Sequence, residues 1–88
     1  MLPEKTTERL SQYRRLLQNL SDEGKEYIFS HEIALVLHLT PVQVRRDIML
    51  IGYNGSQRKG YIIHDLIQKL SQVLDSEQCL NAAVFGVG

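Results

Sequence analysis

One cysteine, two prolines and no tryptophan stand among the 88 residues, and ten basic side chains are cancelled by ten acidic ones. Each scarcity excludes something. A lone Cys79 excludes an internal disulfide and a cysteine-built zinc site, fits a cytoplasmic setting and reads as a packing residue. A formal net charge of zero excludes an indiscriminately basic nucleic-acid coat. No apolar run nears the roughly 20 residues of a bilayer span, and no signal-peptide core opens the chain, so no membrane partner is expected. His31 and His38 stand seven apart without any His-x-x-x-His pair, which leaves no metal site. No Ser/His/Asp or Cys/His order suggests catalysis, and the expectation is that this is no enzyme. What remains, 43% hydrophobic and 23% charged, is an ordinary soluble domain with room for one small core.

The periodicity predicts helix 1 over about Thr6 to Leu20. Its apolar face is Leu10, Tyr13, Leu16, Leu17 and Leu20, with Arg9, Arg14 and Arg15 on or beside the other. Gly24 ends the turn that follows. Tyr27-Ile28-Phe29 reads as a short strand. Ser30 is a good N-cap for helix 2, whose apolar run Ile33 to Leu37 fits a buried helix. Only His38 and Leu39 then precede Thr40, a spacing that predicts helix-turn-helix.

Thr40 to Gly52 carries the strongest start signal in the chain. Thr40 can cap, Pro41 suits the first turn, and Gln43 can close a capping box. Val44, Ile48 and Ile51 form one stripe, so Arg45 and Arg46 point away from it, with Val42 and Met49 nearby. That outer face suits the DNA major groove, where Arg reads guanine or holds phosphate and Gln43 reads adenine if it does not cap. Residues 40–61 hold four basic side chains against Asp47 alone, a local charge of +3. Tyr53 to Ile63 reads as a hairpin whose basic tip, Arg58 and Lys59, reaches backbone phosphate or the minor groove. Helix 4 is expected from about His64 to Leu74, with Leu66, Ile67, Leu70, Val73 and Leu74 inward. Asp75 to Gln78 reads as a linker, and Leu80 to Phe85 as a strand entering Gly86-Val87-Gly88. A strand ending in Gly-x-Gly is how a dinucleotide-binding unit begins. The fold class is mainly α with a small β-hairpin. It is a winged helix-turn-helix over 1–75, followed over 76–88 by a linker and the isolated first strand of a truncated Rossmann domain.

Glu8-Arg9-Leu10 with Tyr13 and Leu16, Ser30-His31-Glu32-Ile33-Ala34, Thr40 to Asp47, Gly52, Gly55 and Gly60-Tyr61, and the ending Asn81 to Gly88 together resemble the Rex family of redox-sensing transcriptional repressors. The resemblance covers essentially the whole chain. It implies a homodimeric repressor whose winged helix binds double-stranded operator DNA and whose second domain reads the NADH/NAD⁺ ratio. The site it implies is Thr40, Val42, Gln43, Arg45, Arg46, Arg58 and Lys59 on DNA. Gly86 and Gly88 would hold NAD or NADH only in the intact protein, so no cofactor is expected of this stretch itself. The alternative is a winged helix that docks a protein partner, for which exposed Val42 and Met49 speak.

Overall fold

An apolar stripe every third or fourth residue makes the first helix one-sided, and the computed structural model builds it as α1, Glu4–Asp22. The structure describes residues 2–53, 55 and 60–87, with 77–87 as backbone only. Leu10, Tyr13 and Leu17 of α1 are fully buried. Gly24, at φ +94°, closes the helix, and the Lys25 N–H donates back to the Leu20 carbonyl at 3.0 Å. The strand β1 is Tyr27–Ile28 and α2 is Ser30–Leu37. Ser30 is thus the first helical residue and not the cap that was expected. Phe29 holds the cap position, and its N–H donates to Glu32 Oε1 at 3.0 Å. Glu32, the third helical residue, thus reaches back to the cap residue's own N–H, the acidic half of a capping box.

The run Ile33 to Leu37 is less buried than expected. Ile33 and Ala34 are in the core, whereas Leu35 is 79% exposed and Val36 55%. A helix eight residues long has only one side to bury, and five consecutive apolar residues wrap past it. His38 ends α2 in the left-handed region at φ 58°, and Leu39 N–H donates to the Ala34 carbonyl at 2.9 Å. That tight reversal lets α3, Pro41–Leu50, begin within a few residues of the end of α2 and cross it.

The return strand of the expected hairpin is β2, Tyr61–Ile62. It pairs antiparallel with β1, Tyr27 opposite Ile62 and Ile28 opposite Tyr61. The short strand ahead of the helix-turn-helix therefore anchors the wing behind it. Gly60 makes the pairing possible. Its φ is +79°, and a Cβ there would lie 2.5 Å from the Ile28 carbonyl oxygen. Residues 54 and 56–59 lie outside those described, and Arg58 and Lys59 with them.

The last helix, α4, is Ile63–Val87. At its start the Ile63 N–H, the first of the helix, donates to the Glu26 carbonyl at 2.9 Å. Leu66, Leu70 and Leu74 join Leu10, Tyr13 and Leu17 in one core with Ile28, Ile33, Val44, Ile48 and Ile63. Each such side chain contributes about 1.5–3 kcal/mol of burial. Beyond Leu74 the expectation is corrected. The expected linker and the strand over Leu80 to Phe85 are continuous helix. A strand without a neighbour leaves its N–H and C=O groups unpaired, and a helix satisfies them within itself. The architecture is a winged helix, mainly α with one two-stranded antiparallel sheet among the described residues.

Gly60→Ala combines a left-handed backbone with a steric clash and is expected to cost about 1–3 kcal/mol. Gly24→Ala meets no atom within 4 Å and carries the backbone strain alone. Thermal melts of the two variants should rank Gly60→Ala clearly lower. Equal losses would mean that the approach to Ile28 is not what demands glycine.

Candidate nucleic-acid interface

Of the residues expected from the sequence to face DNA, Thr40, Val42, Gln43, Arg45 and Arg46 stand at the cap or along α3, whereas Arg58 and Lys59 lie outside the described residues. Thr40 Oγ1 accepts from the Gln43 N–H at 3.1 Å and fixes the helix start, with Pro41 at the first position. Val44 and Ile48 turn into the core. On the opposite side Val42 is 54% exposed, Met49 is 68% exposed, and Arg45 and Arg46 are both exposed. Arg45 lies on the wing side. Burial pushes the Tyr61 hydroxyl up from its ordinary pKa, and the positive charge of Arg45 opposes that shift. The base of the wing is held by Tyr53, whose hydroxyl accepts from the Ile62 N–H at 3.2 Å and whose ring lies 5.9 Å from that of Tyr61.

Asp47 breaks the pattern. It is the one acid among the basic residues of this region, yet it is only 3% exposed. It occupies the inner face, where α1 meets it with three donors. Arg9 clasps the carboxylate through Nε at 2.8 Å and Nη2 at 3.1 Å, and the Tyr13 hydroxyl donates to Oδ2. Gln43 Nε2 donates to Oδ1 at 2.9 Å, and Arg9 Nη2 also reaches Thr6 Oγ1 at 3.3 Å. Burial alone would raise the Asp47 pKa. The hydrogen bonds from Arg9, Tyr13 and Gln43 outweigh it and hold the carboxyl below the usual aspartate value. Desolvation first, then the Asp47 carboxylate, push the Tyr13 hydroxyl up, and the bond to Asp47 holds Arg9 more firmly protonated.

This network was not expected from the sequence, although a signal for it is present. Asp47 stands three residues after Val44 and one before Ile48, on the stripe that should be apolar. Arg9 and Tyr13 stand one turn apart on α1, the spacing at which two side chains reach a common partner. Arg9, expected on or beside the outer face of α1, is in fact drawn to the helix contact. Gln43 takes neither a capping-box bond to the Thr40 N–H nor a free outward pose, because its amide nitrogen is held by Asp47. One consequence is electrostatic. With Asp47 neutralised from within, neither Arg45 nor Arg46 has an ion-pair partner among the described residues.

The nucleotide-binding residues are not assembled. Gly86 stands in helical backbone, not in a turn after a strand, and Gly88 lies outside the described residues. The described residues also contain no helix long and apolar enough to cross a membrane.

Comparison with known proteins decides the family. Residues 1–48 match the family described as "Putative DNA-binding protein N-terminus". The chain belongs to that family. Its relatives include the redox-sensing transcriptional repressor Rex of Rubrobacter xylanophilus, 38% identical over 82 residues, which are 93% of this chain and 38% of that protein. The Rex of Lysinibacillus sphaericus is 37% identical over 87 residues, 99% of this chain and 41% of the relative. The chain thus spans about two-fifths of the curated relatives it matches. Among solved structures, RSP in complex with β-NAD⁺ and operator DNA superposes with a TM-score of 0.77 at 28% identity, over 84% of this chain and 34% of that one. RSP described as a Rex-family repressor gives 0.73 at 25% identity, over 85% and 34%. The family's N-terminal domain is therefore what this chain matches, as its motifs suggested.

Asp47→Asn removes the charge that Arg9 and Tyr13 are arranged around, and should cost about 3 kcal/mol at neutral pH. The folded-state pKa of Asp47 is depressed, so its contribution is complete above the ordinary aspartate value and fades as pH falls through the folded value. The stability gap between the two proteins, followed by urea unfolding, should therefore be widest near pH 7 and close progressively below about pH 5. A gap independent of pH would show that shape, not charge, holds the contact.

Proposed function

We propose that this domain binds double-stranded operator DNA with α3 in the major groove, as the DNA-binding part of a redox-sensing repressor. The observation that carries the reading is the inward turn of Asp47, which leaves Arg45 and Arg46 exposed and without an acidic partner on the outer face. Helix N-termini of this kind meet base edges in helix-turn-helix proteins, which suits Thr40, Val42 and Gln43 at the start of α3. Arg45 and Arg46 supply guanine or phosphate contacts, and Arg58 and Lys59 in the wing supply phosphate contacts. The operator complex of the RSP neighbour supports the assignment, as do the repressor names of the relatives. Those names point to regulation and not to enzymatic activity.

A two-fold operator would be met by a homodimer, and a cytoplasmic location follows from binding a bacterial operator. We assign redox sensing to the whole protein, because the curated relatives are more than twice this length. In this reading 1–75 is the DNA-binding unit and 76–88 leads toward the part that takes NAD or NADH. Gly86 and Gly88 would serve that part.

Replacing Arg45 and Arg46 together by Ala should weaken binding to the operator duplex of the RSP complex by roughly 30- to 10⁴-fold, at about 1–3 kcal/mol for each arginine removed. Helicity and melting temperature should hardly change, since both positions are exposed and Ala favours helix. Lys59→Ala should instead weaken all duplexes alike and reduce the log–log salt slope by about one unit. Exposed Val42 and Met49 also suit a protein-docking face, and gel shifts at several salt concentrations separate the readings. A docking module would show little DNA affinity even at low salt.

A further inference from the structure

The bond between Gln43 and Asp47 limits what Gln43 can present to a ligand. Asp47 is buried and its carboxylate is already clasped by Arg9 and by the Tyr13 hydroxyl, so it cannot swing away or rotate freely. An ionised carboxylate only accepts hydrogen bonds. The amide atom that faces it at 2.9 Å must therefore be the nitrogen, and that fixes which end of the planar amide is turned away. The end turned away is Oε1, an acceptor. Gln43 stands one residue after Val42 in the first turn of α3 and is half-buried, so the amide sits at the border between the α1 contact and the exposed face.

We propose that Asp47 is a positioning residue for base readout, holding Gln43 so that Oε1 accepts from an exocyclic amino group in the major groove, adenine N6 or cytosine N4. This rests on the reading of α3 as the groove-entering helix. Asp47 takes one of the two N–H donors of the amide nitrogen, which leaves the other able to donate to adenine N7 in the bidentate pairing of Gln with adenine. The chain of command runs from Arg9 and Tyr13 on α1, through the Asp47 carboxylate, to the oriented amide of Gln43 on α3.

The test scans the operator duplex of the RSP complex with altered bases, one position at a time. Purine in place of adenine, or 2-pyrimidinone in place of cytosine, removes the amino group. At one position per half-site, loss of the amino group should weaken binding roughly ten- to a hundred-fold. In Gln43→Met that penalty should vanish, with both duplexes bound equally. In Asp47→Asn, whose amide can offer Gln43 either a donor or an acceptor, the penalty should shrink while the salt slope stays that of the parent. Should Asp47→Asn fail to fold, Gln43→Met and the altered bases still decide. An amino penalty found at no position, or one that persists in Gln43→Met, overturns the inference alone. A parent protein that binds no duplex, or binding that survives the Arg45 and Arg46 double change, overturns the α3 reading and this inference with it.

Discussion

A carboxylate taken out of water in so small a domain is stable only if its surroundings replace the hydration it loses. Asp47 receives four hydrogen bonds, two from the Arg9 fork, one from the Tyr13 hydroxyl and one from the Gln43 amide. Both partner side chains on α1 are committed to it, so the network fixes where α1 crosses α3 more narrowly than apolar packing does. Leucine against isoleucine tolerates small slides and rotations. A bidentate guanidinium on a carboxylate does not. The outer face of α3 inherits that definition, because every side chain on it is placed by the same helix.

The second constraint is the two-residue sheet. Two strands of two residues each would not hold by themselves. They hold because Ile28 within the pairing and Ile63 just after it are buried in the core, and because the Ile63 N–H reaches the Glu26 carbonyl. The wing therefore leaves and returns at fixed points. Tyr53 and Tyr61 brace those points, one through a hydroxyl bond to the Ile62 N–H and both through ring contact.

Much of this architecture is legible in residue spacing alone. The stripes of α1, α3 and α4, the Thr40 cap and the short α2–α3 turn all follow from spacing and local chemistry, and most stripe residues are in the core. What escaped reading depends on partners distant in sequence. The return strand was legible as a strand, but its pairing with Tyr27–Ile28 crosses two helices. In the sequence Asp47 registers only as one negative charge among basic residues, because the α1 donors that hold it stand 34 and 38 residues away. Leu80 to Phe85 has strand-like residues, but strand formation depends on neighbours, and helix is what the local backbone satisfies by itself.

The internal neutralisation of Asp47 also shapes the field around the molecule. Ten positive and ten negative side chains give no monopole, so at physiological salt, where the screening length is about 8 Å, the domain exerts little pull on a distant polyanion. With its one nearby acid withdrawn, the helix that carries Arg45 and Arg46 is nonetheless locally cationic. Such a body meets a charged surface without being captured by it, and feels the attraction only once that helix comes within a screening length. Orientation, and not mere proximity, becomes the condition for adhesion.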